Sequence, residues 1–178
     1  MYKTKFNDYV IENNVVKIKL FDREKNIIYT TIYLDDLQSI ISLGYKWYAR
    51  YQNHISGYYA QSNLYINGKH SVICLHQYIL NHFDRYYQID HINKNPLDNR
   101  RDNLRIASIP NNSRNRRSKN SNNKSGHRNV CFYDDWYLVQ LQVNGKNNVI
   151  LKTKNYEEAC IVADEARIKY YGEFAGDA

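Results

Sequence analysis

Residues 113–127 read Ser-Arg-Asn-Arg-Arg-Ser-Lys-Asn-Ser-Asn-Asn-Lys-Ser-Gly-His and contain no large apolar side chain. Such a stretch cannot hold a core in place, so apolar burial has to be organised on either side of it. Its first part can extend a helix, and the remainder reads as a basic linker. A flexible basic linker can follow a phosphate backbone and order on binding. The 178 residues suffice for one ordinary domain or two to three very small ones. Hydrophobic residues at 43% argue against wholesale disorder. Eighteen tyrosines against five phenylalanines suit thin sheets with one wet face, because tyrosine has an apolar body and a polar tip.

The first seventy residues read as short strands. Val15 to Leu20 alternates apolar and polar, and residues 27–33 are rich in β-branched and aromatic side chains. Residues 35–41 predict a short helix capped by aspartate and closed near Gly44. Asn67-Gly68 is a hairpin signal. Nothing in this region looks chemical, and its expected role is scaffold. Leu75, Ile79 and Leu80 stand at helical spacing and predict a short helix over residues 75–82.

The positive charge is concentrated. Residues 85–128 hold eleven Lys or Arg against three Asp, a net of +8 in a chain whose total is +7. That concentration favours a polyanion, and nucleic acid is the usual one. No apolar run approaches the ~20 residues of a membrane span, and Phe6 leads into Asn7-Asp8, so neither a membrane partner nor a secretory signal is expected. Cys74, Cys131 and Cys160 are odd in number, far apart and set among apolar neighbours. They read as buried thiols of a reducing compartment, and without a C-x-x-C pair no structural zinc is expected.

Within the basic block, Tyr87, Ile89 and His91 alternate with Gln88 and Asp90 on a strand that ends in a polar loop. Leu104 and Ile106 suggest a second strand, and Pro110 opens a helix bearing Asn111, Asn112 and Asn115. Strand, loop, strand and helix would gather Asp90, His91 and the asparagines. Cutting a phosphodiester needs an activated water, charge stabilisation on the phosphoryl oxygens and help for the departing oxygen. An imidazole can take the proton near neutral pH, and one divalent cation on hard oxygen ligands can do the rest. Asp90 and an asparagine amide oxygen suit Mg²⁺ or Mn²⁺, which leaves His91 for the base.

Leu75-His76, Asp90-His91-Ile92-Asn93, Asn95-Pro96-Leu97-Asp98-Asn99-Arg100, Asn103-Leu104-Arg105 and Asn111-Asn112 resemble the ββα-metal HNH endonucleases, especially phage and intron-encoded homing enzymes. The resemblance implies His91 as general base, Asp90 and Asn112 as metal ligands, and Asn103 as the brace behind His91. Asn99, Arg100 and Arg105 would support the loop or contact phosphate. The last motif position is Asn, not His, which leaves Asn111, Asn112 and Asn115 open; spacing favours Asn112, nine residues after Asn103. Arg114, Arg116, Arg117 and Lys119 continue the expected phosphate-binding charge.

Residues 129–133, 137–143 and 149–151 read as strands, with Asn144-Gly145 as a tight turn. A helix follows, capped by Asn155 with Glu158 three places on. Tyr156, Ala159, Cys160, Ala163, Ala166 and Tyr170 mark its expected inner stripe, and Gly172 ends it. Ser125-Gly126, Arg128-Asn129-Val130, Val143-Asn144-Gly145-Lys146, Glu157-Glu158-Ala159, Asp164-Glu165-Ala166 and residues 170–175 resemble the AP2 DNA-binding domain. That resemblance implies a sheet in the major groove, with Arg128, Tyr133, Gln140, Gln142, Asn148 and Lys152 on or near the DNA face. Few arginines remain on these strands, so base preference does not carry over.

The expected fold is α+β: a β-rich N-terminal region (1–68), a central ββα-metal unit (69–118), a basic linker (119–127) and an AP2-like three-stranded antiparallel sheet with one helix (128–178). The expected protein is a site-directed nuclease of double-stranded DNA, in the cytoplasm of a bacterial cell or phage-infected host. No leucine stripe predicts a dimer, so a monomer is expected. The rival reading is a non-catalytic DNA-binding regulator on the same scaffold.

Overall fold

The computed structural model describes residues 6–66, 68–115 and 122–176. It divides into two compact units, Met1–Ala107 and Ser108–Ala178. The fold is mixed α+β, built from small antiparallel sheets and few helices. Among the described residues no helix is long and apolar enough to cross a membrane.

The first unit opens with an antiparallel meander of β1 (Tyr9–Glu12), β2 (Val15–Phe21) and β3 (Ile27–Tyr33). The alternation in β2 puts Val16, Ile18 and Leu20 inward, fully buried, while Lys17 and Lys19 flank them on the other face. Helix α1 (Leu34–Ser42) follows, and Gly44 closes its end at φ +72°. Its aspartates differ from expectation. Tyr33 is the N-cap and makes no side-chain cap, while Asp36 lies buried in the first turn and pairs with Arg101 at 2.6 Å.

A second meander, β4 (Trp47–Gln52), β5 (Gly57–Ile66) and β6 (Lys69–Cys74), carries Trp47, Ala49, Ala60, Leu64 and Ile73 into the same core. Ile66 pairs with Lys69 across the hairpin, and Gly68 takes φ +78°; Asn67 lies outside the described residues. Helix α2 (Leu75–Leu80) starts from a capping box between Cys74 and Gln77 and ends at Asn81 in the left-handed region. The sequence boundary at 68/69 therefore does not divide the fold. It falls inside the β5–β6 hairpin, because Leu75 and Ile79 share one core with Val16 and Trp47. The two-stranded pair β7 (Tyr87–His91) and β8 (Leu104–Ser108) adds Ile89 and Leu104 to it.

The second unit contains α3 (Ile109–Arg114), β9 (Val130–Tyr133), β10 (Trp136–Val143), β11 (Lys146–Thr153) and α4 (Tyr156–Tyr171). The sheet order is β11-β10-β9, and positive φ at Asp134, Asp135, Asn144 and Gly145 makes both turns tight. Asn155 caps α4 by accepting from the Glu158 amide at 3.2 Å, and Gly172 terminates the helix. Val130, Val139 and Leu141 pack against Ala159, Ala163 and Ala166. The helix stripe is narrower than expected. Tyr156 and Tyr170 are exposed, and Arg167 is buried in the inner stripe, where it reaches the Arg128 carbonyl and Asp164.

One irregularity in this sheet matters for its outer face. Ile150 is an extra residue on β11: Leu151 pairs with Val139, but Val149 pairs with Gln140. Beyond the bulge the faces of β11 exchange, because side chains alternate with a period of two. Asn148 therefore stands opposite Leu141 on the helix side, while Val149 and Asn147 join Gln140 and Gln142 outside.

Candidate active site

Strand β7 delivers Asp90 and His91 to the start of a twelve-residue loop, residues 92–103, that returns to β8 at Leu104 and is long for a connection in a small domain. The loop is asparagine-rich because it closes on its own amides. Asn103 accepts from the Asn93 amide at 2.9 Å and donates to the Asp98 carbonyl at 2.7 Å, while its carbonyl accepts from Ile92 at 2.9 Å. Asn93 and Asn95 each accept from a backbone amide two residues on. Asp98 gathers the two arms of Arg100 at 2.8 and 2.7 Å and the Asn93 amide at 2.7 Å. Burial alone would raise the Asp98 carboxyl, but Arg100 and Asn93 outweigh it and hold it below the usual carboxylate value.

The N-terminal meander grips this loop. Thr31 donates its amide to Leu97 and accepts from the Asn99 amide, forming a parallel bridge at Asp98. Tyr33 donates to Asp102 at 2.6 Å, and Asp36 binds Arg101. The edge of β3 is thus occupied by the loop itself.

His91 is 6% exposed. Its Nε2 lies 3.4 Å from Asn99 Oδ1. Tyr59 from β5 stacks on the ring at 6.2 Å and 26°, and His76 from α2 meets it edge-on at 5.2 Å and 90°. Burial pulls the imidazole below its ordinary pKa, against smaller opposing pulls from Asn99, Asp90 and Asp98. A ring so placed is neutral near pH 7 and can accept a proton. Burial also drives His76 down, to about 3, with His91 adding to the shift.

Asp90 is buried beside it, and its Oδ2 accepts from Nε of Arg105 at 2.8 Å, with Nη2 in ion-pair contact at 2.8 Å. A buried carboxylate is a hard oxygen donor suited to a divalent cation such as Mg²⁺ or Mn²⁺, completed by amide, phosphate or water oxygens. Among the described residues no three His, Cys, Asp or Glu side chains converge on one point. Asn112 is carried by α3 in the second unit, half-buried, and Asn115 is buried at its end. The Asn111 amide oxygen accepts from Arg114 at 2.8 Å, which engages one of the three candidate asparagines.

The cations expected on DNA divide. Arg100 and Arg105 serve Asp98 and Asp90. Arg114 lies over the Tyr171 ring at 4.6 Å. Arg116, Arg117 and Lys119 lie outside the described residues. Arg128 corrects expectation: it is 2% exposed and donates to the Arg114 and Ala175 carbonyls, so it braces the second unit from within. Asn148 is exposed, but the β11 bulge sets it opposite Leu141 and out of line with Gln140 and Gln142. Tyr133 is 73% exposed, and Gln140, Gln142 and Lys152 share its outer face. Trp136, not singled out from sequence, lies there under Lys152 and Lys154 at 4.7 and 5.1 Å.

Thr30 and Tyr59 were also missed as site residues, and His76 entered only within the Leu75-His76 motif, with no role attached. For Thr30 a signal existed: it falls on the buried face of β3 in phase with Ile28 and Ile32, where a polar side chain requires a partner. Tyr59 carries no local signal, since only tertiary packing brings it to His91.

A family model described as HNH endonuclease matches residues 83–114. That segment spans Asp90, His91, the whole loop and α3. No curated protein and no solved structure matches the chain. The match supports an HNH nuclease with DNA as its substrate.

Proposed function

We propose that this chain is a site-directed, metal-dependent DNA endonuclease of the homing type, with His91 as its general base. The observation that carries the reading is a buried, neutral imidazole beside a buried carboxylate, at a strand end inside the matched segment. Asp90 and Asn112 would hold one Mg²⁺ or Mn²⁺. Bound there, the cation would supply charge neutralisation on the phosphate and on the departing 3′ oxygen. His91 takes a proton from the attacking water, Arg105 fixes the aspartate's orientation, and Asn103 keeps the loop's two arms in register. The products are 5′-phosphate and 3′-hydroxyl ends.

Double-stranded DNA meets the second unit on the outer sheet face in this proposal. Gln140 and Gln142 suit base edges, Lys152 suits phosphate, and Tyr133 and Trp136 add stacking or sugar contact. The likeness of residues 125–175 to the AP2 domain supports this, as does the exposure of that face. A monomer in a reducing bacterial or phage-infected cytoplasm fits the free thiols.

The deciding experiment is cleavage of supercoiled plasmid and phage DNA with Mg²⁺ or Mn²⁺, using the whole chain and His91→Ala. The variant should lose about a hundredfold to ten-thousandfold in rate while still binding DNA. Full activity in the variant rejects His91 as base. Binding without cutting by the parent protein, under any divalent cation, favours the regulator.

A further inference from the structure

We infer that Thr30, Tyr59 and His76, all outside the matched segment, are positioning residues that fix one tautomer and one orientation of the His91 ring. A hydroxyl heads the chain of contacts that reaches the ring. Thr30 is fully buried on β3, and its Oγ1 donates its single hydrogen to the Leu97 carbonyl at 2.7 Å. Toward any other neighbour it can only accept. That neighbour is Asn99, also fully buried, at 2.8 Å, so the Asn99 atom facing Thr30 has to be the Nδ2 amide. The other end of the same amide is then Oδ1, and it faces His91 Nε2 at 3.4 Å.

An amide oxygen only accepts, so the neutral ring carries its hydrogen on Nε2, and Nδ1 becomes the lone-pair atom of the imidazole. A choice that local coordinates leave open is thereby made by a chain of three donors beginning on the N-terminal sheet. Reversing the Asn99 amide would set its NH₂ against His91 and its oxygen against a hydroxyl whose hydrogen is already given to Leu97. Both buried contacts would suffer.

The chain sets where the hydrogen sits, and the aromatic walls set where the ring points. Tyr59 covers one face at 26° to the ring plane, and His76 stands edge-on at 90°. Tyr59 and His76 also meet each other at 5.1 Å, so the three rings form one packed group. Tyr59 comes from β5, and His76 from the first turn of α2, held by the Cys74–Gln77 box. The N-terminal strands therefore take part in arming the base, beyond carrying a core. The rate consequence rests on the nuclease reading; the state of the ring does not.

Two measurements test this on the whole chain. Nitrogen-15 spectra of histidine-labelled protein at neutral pH, without DNA or metal, report which ring nitrogen is protonated, with His91→Gln used for assignment. His91 should show the Nε2–H form. Thr30→Val, which removes the hydroxyl at nearly constant volume, should give a mixture of tautomers, and Thr30→Ser should restore the single form. An Nδ1–H ring in the parent protein, or an unchanged Nε2–H ring in a folded Thr30→Val, overturns the inference. If Thr30→Val does not fold, Asn99→Leu supplies the readout: without the acceptor oxygen the single Nε2–H form should give way to a mixture of tautomers, and an unchanged Nε2–H ring refutes the relay.

Kinetics test the walls. Tyr59→Leu and His76→Ala should lower kcat about tenfold to a hundredfold, as small misplacements of a reacting group do, with KM unchanged. Tyr59→Phe and His76→Phe should recover most of it. A rise in KM at constant kcat would make these rings substrate-binding groups and reject the positioning role. A parent protein with the Nε2–H ring but no cleavage would reject the nuclease reading and leave the relay standing.

Discussion

The arginines around the loop of the first unit and the lysines on the outer sheet of the second are used differently. In the first, Arg100, Arg101 and Arg105 turn inward to Asp98, Asp36 and Asp90, and each pair ties the loop either to itself or to a neighbouring element. In the second, Lys152 and Lys154 lie over an indole on an exposed sheet face, without a carboxylate partner in that contact. The positive charge thus falls into two populations, one inside the basic run of residues 85–128 and one beyond it. The first builds the site, and the second is available to a polyanion. Counting charge along the chain cannot assign these uses, because they depend on which carboxylates the fold brings close.

The largest effect expected from breaking this contrast is at the loop's own brace. Asn103→Ala leaves buried backbone groups at Asn93 and Asp98 without their partner, which should cost about 2–3 kcal/mol of stability and remove measurable cleavage. Chemical denaturation with and without the substitution gives the number. A loss under about 0.5 kcal/mol would mean that the loop stands without Asn103.

The next pair of substitutions separates the two populations directly. Lys152→Gln should reduce the slope of log affinity against log salt by about one, as removal of a phosphate contact does. Arg105→Gln should leave that slope alone and raise the divalent-cation concentration needed for half-maximal cutting. Identical salt slopes for both variants would erase the distinction drawn between them.

A smaller effect is expected with pH. The Asp98 carboxyl is depressed by Arg100 and Asn93, so its contribution to stability is fully present above the ordinary carboxylate value near ~4. It is lost as pH falls through the depressed folded value. Melting temperatures from pH 7 down to 3 should therefore fall more steeply for the parent protein than for Asp98→Asn. Parallel curves would assign the acid response to other carboxylates.

The smallest effect is a predicted silence. Asn148→Ala should leave DNA affinity unchanged, since the bulge at Ile150 turns that side chain to the helix side. Gln142→Ala on the outer face should cost about 1–3 kcal/mol at a preferred site, if it reads a base edge. Equal losses in filter binding would place both residues on the same face and contradict the register.

Much of this is legible in the sequence. The period-two pattern of Val16, Ile18 and Leu20, the Asn155 cap and the Asn144-Gly145 turn all work over a few residues, and each forms where local chemistry predicts. The expected box is half-made, because the Asn155 amide donates to the Thr153 hydroxyl, which in turn donates to Glu158. The polar segment between Asp90 and Leu104 was legible for the same reason, since its asparagines close hydrogen bonds over short spans. Long-range pairing was not legible. Arg101 finds Asp36 across 65 residues, and Thr30 finds Asn99 across 69. Neither partner has a local periodicity that announces the other. The failure at Asn148 has a different origin: one inserted residue in β11 reverses a strand's faces, and simple alternation from Leu151 cannot register it.

The parallel bridge between Thr31 and Asp98 has a consequence outside catalysis. β3 ends its sheet, and an uncovered strand edge is a template on which other chains can pair and aggregate. In this protein the cover for that edge is the loop that bears the chemistry. Selection for cutting and selection against self-association therefore act on the same dozen or so residues. A lesion that undocks the loop should produce sticky protein as well as inactive protein, and grafting the strand–loop–strand motif onto a foreign scaffold without β3 would transplant an unsupported flap.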